Sequence, residues 1–196
     1  MIFDWLSEES YPLLAGSYGL TYVRDLTPEQ VTARLGGRPE ELVPMTLKEL
    51  ETEAGRRFHD RGHFFGLTAI GDWTIVVETL GDLAWSEEIL APLSTGTRVV
   101  SHAYLDVKGL DNFLWIEDGR LRFAFYPQEG YTEEVPDELA AVMREIETGH
   151  WHLDPHDGPA FILAEHLTGI TLTPQLVQDA AYRCAFVPRP LPSLVT

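Results

Sequence analysis

The chain has a single cysteine, Cys184, so no intrachain disulfide can form and the fold must rest on a packed core. That thiol sits among Ala180, Ala181, Tyr182, Ala185 and Phe186, a setting for a buried inert side chain rather than a nucleophile. No stretch approaches the roughly 20 apolar residues of a membrane helix. The first ten residues carry Asp4, Glu8 and Glu9 and no base, so a secretory signal is not expected there. Basic residues are scarce, with 14 Lys and Arg against 31 Asp and Glu and a formal net charge of −17. Such a chain repels nucleic acid and anionic membranes, and it leaves room for a basic protein partner steered by charge. The oligomeric state is left open. The Walker loop, G-x-G-x-x-G, H-E-x-x-H and cysteine pairs are all missing, so no cofactor is expected. A reducing, cytoplasmic setting is expected.

What is present is enough to fold. Hydrophobic residues make up 44% of the chain and aromatics 11%, which supports a real core. The length of 196 residues fits one domain, expected over residues 1–188 with a loose proline-bearing tail at 189–196. The segment from Gly19 to Asp25 reads as a strand, and Thr27-Pro28 with Gln30 starts a helix through a capping box. Thr46 with Glu49 starts another. Phe64 to Ile70, Gly71-Asp72 and Trp73 to Thr79 form a hairpin pattern. Thr97 to Leu105 is a further strand. Asn112 to Glu117 and Arg120 to Phe125 form a second hairpin, whose Asp118-Gly119 suits a type I′ turn. Helical spacing marks Pro136 to Glu147, then Pro159 to Leu167, and Thr173-Pro174 opens a final helix to about Ala185. The expected fold is therefore α+β: an antiparallel sheet of about five strands, from two hairpins and a connecting strand, flanked by N- and C-terminal helices.

The second hairpin carries a functional hint. A two-residue turn with perfect register sets Glu117 against Arg120, Trp115 against Arg122 and Phe113 against Ala124 on one side. Aromatic residues among charges suit a binding surface, so Phe113, Trp115 and Arg122 are candidate partner contacts. An Arg-on-Trp stack beneath a helix explains the same pattern without a partner.

Three other groups bear chemistry. His150, His152, Asp154 and His156 could ligate a divalent metal, although Pro155 breaks the H-x-H-x-D-H pattern of metallo-β-lactamase-type hydrolases. Arg56, Arg57 and Arg61 form the only basic cluster and could hold an anion, or simply offset a helix dipole. Ser101, His102 and Asp106 suggest a triad, but adjacent strand residues point to opposite faces, which opposes it.

The stretches GLTYVRDLTPEQVTARLGG, GTRVVSHAYLDVKGLDNFLWIEDGRLRFAFYP, LAAVMREI and LAEHLTGITLTPQL resemble an uncharacterised family found in Streptomyces and related actinobacteria. The resemblance runs over nearly the whole chain. It implies a bacterial cytoplasmic protein and supplies no activity, cofactor or catalytic residue. The leading expectation is a non-enzymatic domain that binds a protein partner, an acidic immunity, antitoxin or accessory protein. The alternatives are a metal-dependent hydrolase built on His150 to His156 and a sensor of a small anionic ligand.

Overall fold

Ser17–Arg24 (β1) runs through the middle of a single antiparallel sheet in the computed structural model, which describes residues 12–126, 130–131, 134–149 and 158–189. On one side β1 pairs with Trp73–Thr79 (β4), itself the second arm of a hairpin with Gly62–Ile70 (β3). On the other it pairs with Arg98–Leu105 (β5), followed by the hairpin Leu110–Glu117 (β6) and Arg120–Tyr126 (β7). The flanks are closed by Val43–Met45 (β2), Tyr182–Pro188 (β9) and the two-residue Gly130–Tyr131 (β8). The order is β2-β9-β3-β4-β1-β5-β6-β7-β8, nine strands among the described residues rather than about five.

Helices cover both faces. Pro12–Gly16 (α1), Leu47–Arg56 (α3), Ala140–Thr148 (α5), Pro159–Thr168 (α6) and Pro174–Asp179 (α7) contribute to one core, built on Tyr18, Leu20, Tyr22, Phe113, Trp115 and Phe123. Pro28–Arg34 (α2), Glu87–Leu93 (α4) and the short turn Leu83–Trp85 close the other core, over Val23, Phe65, Val76, Val99 and Ile116. This double cover explains why β4 is buried at all seven positions, where a one-sided sheet would alternate. The capping boxes at Thr27 and Thr46 form as the sequence demands, with each threonine side chain and its partner, Gln30 or Glu49, bonding reciprocally. Asp118 and Gly119 both take positive φ, as a type I′ turn requires.

Two further expectations need correction. The final helix stops at Asp179, and the segment expected to continue it becomes β9, between β2 and β3. Pairing on both edges and burial of Tyr182 and Cys184 override the local alanine content. The second hairpin also carries a bulge between Trp115 and Ile116. Ile116 pairs with Leu121 but Trp115 pairs with Phe123, so Arg122 is the extra residue. Beyond it the faces swap: Phe113, Trp115, Phe123 and Phe125 share one core, and Leu114, Ile116 and Ala124 the other.

Candidate functional site

Phe113 and Trp115 sit in the core that α5 and α6 help to build. Their exposures are 0% and 2%, so they do not form an exposed aromatic patch. The Arg98 guanidinium lies 4.8 Å from the Trp115 ring centroid and Arg122 5.8 Å from it. Arg98 also binds Glu117 and Glu138, which ties the approach to α5 onto the sheet.

The basic cluster is largely matched from within. Arg56 and Arg57 both bind Glu53, whose carboxyl is held down to about 2, chiefly by the Arg56 hydrogen bond. Arg57 additionally packs on the rings of Phe64 and Phe186, at 5.7 and 4.9 Å. Arg61 is exposed, and its backbone carbonyl accepts a hydrogen bond from the Arg189 N–H. His150, His152, Asp154 and His156 lie outside the described residues. Among the described residues no three His, Cys, Asp or Glu side chains gather in a way that could hold a metal ion. No helix among them is long and apolar enough to cross a membrane.

Ser101 and His102 point to opposite faces. Ser101 bonds the Thr21 hydroxyl at 2.8 Å, while His102 lies in the other core against Tyr18, Tyr22 and Phe161. Burial pushes the His102 imidazole down to about 3, so it is neutral in ordinary conditions. Cys184 is buried, and burial pushes its thiol up to about 12.

The unusual chemistry collects at one end of the sheet, where β1 and β6 begin and β4 and β5 end. Thr79, Tyr18, Tyr104 and Asp111 stand directly opposite one another across β4, β1, β5 and β6. Opposed residues of an antiparallel sheet share a face, so these four form one row. All are buried. Among the described residues, the Tyr18 hydroxyl, Thr79 Oγ1, both Asp111 carboxylate oxygens and His102 Nδ1 have no hydrogen-bond partner. Burial raises the Asp111 carboxyl to about 8, an effect the nearby Asn112 N–H offsets only in part. Tyr18 is raised well above its ordinary value by burial first and by the Asp111 charge second. Buried polar groups are nearly always bonded, so several orphans in one place call for an explanation.

The opposite face of the same end holds Glu78, Asp82, His63 and Arg189. Glu78 accepts from the Leu83 and Ala84 N–H groups at 3.3 and 3.0 Å, and burial lifts its carboxyl to about 8. Two glycines make space for it: a Cβ on Gly81 would stand 2.0 Å from Glu78 Oε1, and one on Gly19 3.0 Å from Oε2. His63 Nδ1 lies 3.4 Å from Asp82 Oδ1, and Arg189 Nε donates to His63 Nε2 at 3.2 Å. Glu78 thus anchors the Gly81-Asp82 turn through backbone bonds, a structural task.

None of the four row residues stands out as a motif in sequence. The available signal is strand phase: Asp111, Phe113 and Trp115 fall at i, i+2 and i+4, so burial of the aromatics carries the acid inward with them. No curated protein and no solved structure matches the chain. The profile of a family of unknown function, DUF6461, matches residues 3–191, and the chain therefore belongs to that family.

Proposed function

We propose that this domain is a non-enzymatic binding protein for a basic protein partner, acting as an acidic immunity, antitoxin or accessory protein in a bacterial, actinobacterial cytoplasm. The observation that carries this reading is the internal use of the scarce cations. Arg38, Arg56, Arg57, Arg98, Arg183 and Arg189 are each held by a carboxylate of the same chain. The acidic surplus of the chain therefore faces solvent with few cations to offset it, through exposed residues such as Glu40, Glu87, Glu88 and Glu145. A field of one sign speeds capture of an oppositely charged protein and weakens steeply with salt. Phe113, Trp115 and Arg122 have no part in this reading as an exposed surface.

The test is affinity capture from native lysate with the tagged chain, followed by association kinetics for each recovered protein. Support is a partner of basic isoelectric point whose association rate falls at least tenfold between 50 and 500 mM salt, and falls again in Glu87→Lys/Glu88→Lys or another charge-reversal pair. Recovery of no basic partner, together with a monomer at high concentration, defeats the proposal.

A further inference from the structure

Strand β6 is arranged against expectation at its start. Leu110 is 43% exposed while the neighbouring Asp111 is 2% exposed. Val107, in the turn Asp106–Lys108 just before, is 85% exposed. The ladder from Arg98–Glu117 to Leu105–Leu110 holds the acid inside.

The interior around it is acceptor-rich and walled by rings. Tyr18 lies 5.4 Å from Phe161, 6.0 Å from Tyr104 and 5.6 Å from His102, centroid to centroid. The atoms left unbonded are two carboxylate oxygens, two hydroxyls and an imidazole nitrogen. An ionised carboxylate in such a place costs several kcal/mol, so the group keeps its proton unless a cation meets it. A divalent metal prefers several oxygen or nitrogen ligands bearing charge, whereas Asp111 is the one carboxylate of the buried row and Asp106 is exposed and takes the Tyr104 hydroxyl. Aromatic faces attract organic cations, and an ammonium brings three N–H donors to an acceptor-rich site.

We propose that the Thr79–Tyr18–Tyr104–Asp111 row is a binding site for a small alkylammonium compound, with Asp111 as counter-ion and the Tyr18, Tyr104 and Phe161 rings flanking the alkyl chain. The rings touch one another, so the site opens by displacement of the exposed turn Asp106–Lys108, which is joined to β6 by Gly109 at φ 56°. Of the ionisable groups of the row and its surroundings, Tyr104 opposes Asp111 across the ladder, Tyr18 opposes Tyr104, His102 packs on Tyr18, and Asp106 and Lys108 lie in the turn. The Tyr104 hydroxyl donates to Asp106 at 2.9 Å, which fastens the turn over the row. This site is separate from the acidic surface proposed above, and either can fail without the other.

The probe is n-butylammonium chloride, with potassium chloride at equal ionic strength as the charge control and sodium butyrate as the control of opposite sign. At tenfold excess over its dissociation constant, butylammonium should raise the melting temperature by about 3–5 °C relative to potassium. Binding should release a proton near pH 7, giving calorimetric heats that change with buffer ionisation enthalpy. Asp111→Asn, close in shape and nearly unchanged in surface charge, should lose the shift. Tyr18→Phe, which keeps the ring, should bind more weakly. Equal shifts in wild type and Asp111→Asn, or no shift with butylammonium, agmatine or choline, overturn the proposal. If Asp111→Asn does not fold, a wild-type affinity that is flat between pH 6 and 8 overturns it instead.

Discussion

Tyr18 and Asp111 stand in one cross-strand row, separated by Tyr104, and each is 2% exposed. The charge of Asp111 makes ionisation of Tyr18 harder, and burial makes ionisation of Asp111 itself harder. Both groups are therefore neutral at mildly acidic pH.

This sets a pH dependence of stability with a defined sign. Asp111 and Glu78 each rise to about 8 in the folded protein, from ordinary values of 3.8 and 4.5. A raised carboxyl holds its proton more tightly when folded, so its stabilisation is full at low pH and is lost as pH climbs through about 8. His102 has the opposite sign, since it is lowered to about 3 from 6.5 and costs stability only below 6.5. Above 6.5 the two carboxyls act alone. The melting temperature should fall by roughly 5–10 °C between pH 6.5 and 8.5. Asp111→Asn should remove about half of that fall, measured by scanning calorimetry.

Gly81 makes room for Glu78. A methyl group there would meet Oε1 at 2.0 Å and Cδ at 2.6 Å. Gly81→Ala should cost about 1–3 kcal/mol by forcing the carboxyl off its Leu83 and Ala84 N–H donors. Glu78→Ala should also destabilise, because it leaves those donors unbonded. The double variant should be less damaging than the sum, with a coupling of about 1 kcal/mol or more in a urea double-mutant cycle.

Cys184 should resist thiol reagents in the native state. It is 2% exposed, faces the core beside Tyr182, and carries a thiol raised to about 12. Reaction with a disulfide reagent at pH 8 should run at least about 100-fold slower than in 6 M guanidinium. A native rate close to the denatured one would place the thiol at the surface.

The elements with local punctuation were legible in the amino-acid order. Thr27-Pro28, Thr46 with Glu49 and Asp118-Gly119 all do what their chemistry requires. Strands made by distant pairing were not. Tyr182–Pro188 follows a capped helix, and Ala180, Ala181 and Ala185 around its β-formers Tyr182, Phe186 and Val187 let it read as more helix; its strand state is fixed by β2 and β3. The row at Asp111 was hidden for a related reason: its members lie 61, 25 and 7 residues apart along the chain, and only the register joins them. The bulge at Arg122 leaves no mark in the residue types at all, yet it decides which aromatics are buried together.

That bulge supports a sharper prediction, because it separates the residue's presence from its side chain. Arg122 is exposed and lies 5.8 Å from the Trp115 ring, which Arg98 approaches more closely. Arg122→Ala should therefore cost no more than about 1 kcal/mol. Deletion of Arg122 is a different perturbation. It would pair Trp115 with the wrong neighbour or turn Phe123 and Phe125 toward the α4 face, exchanging them with Ala124. Two large rings cannot occupy the place of one methyl group in a close-packed core. The deletion should abolish cooperative unfolding and the near-ultraviolet circular dichroism of the buried aromatics, while Arg122→Ala retains both. A deletion variant that melts cooperatively near the wild-type temperature would show that the hairpin does not need the extra residue to set its faces.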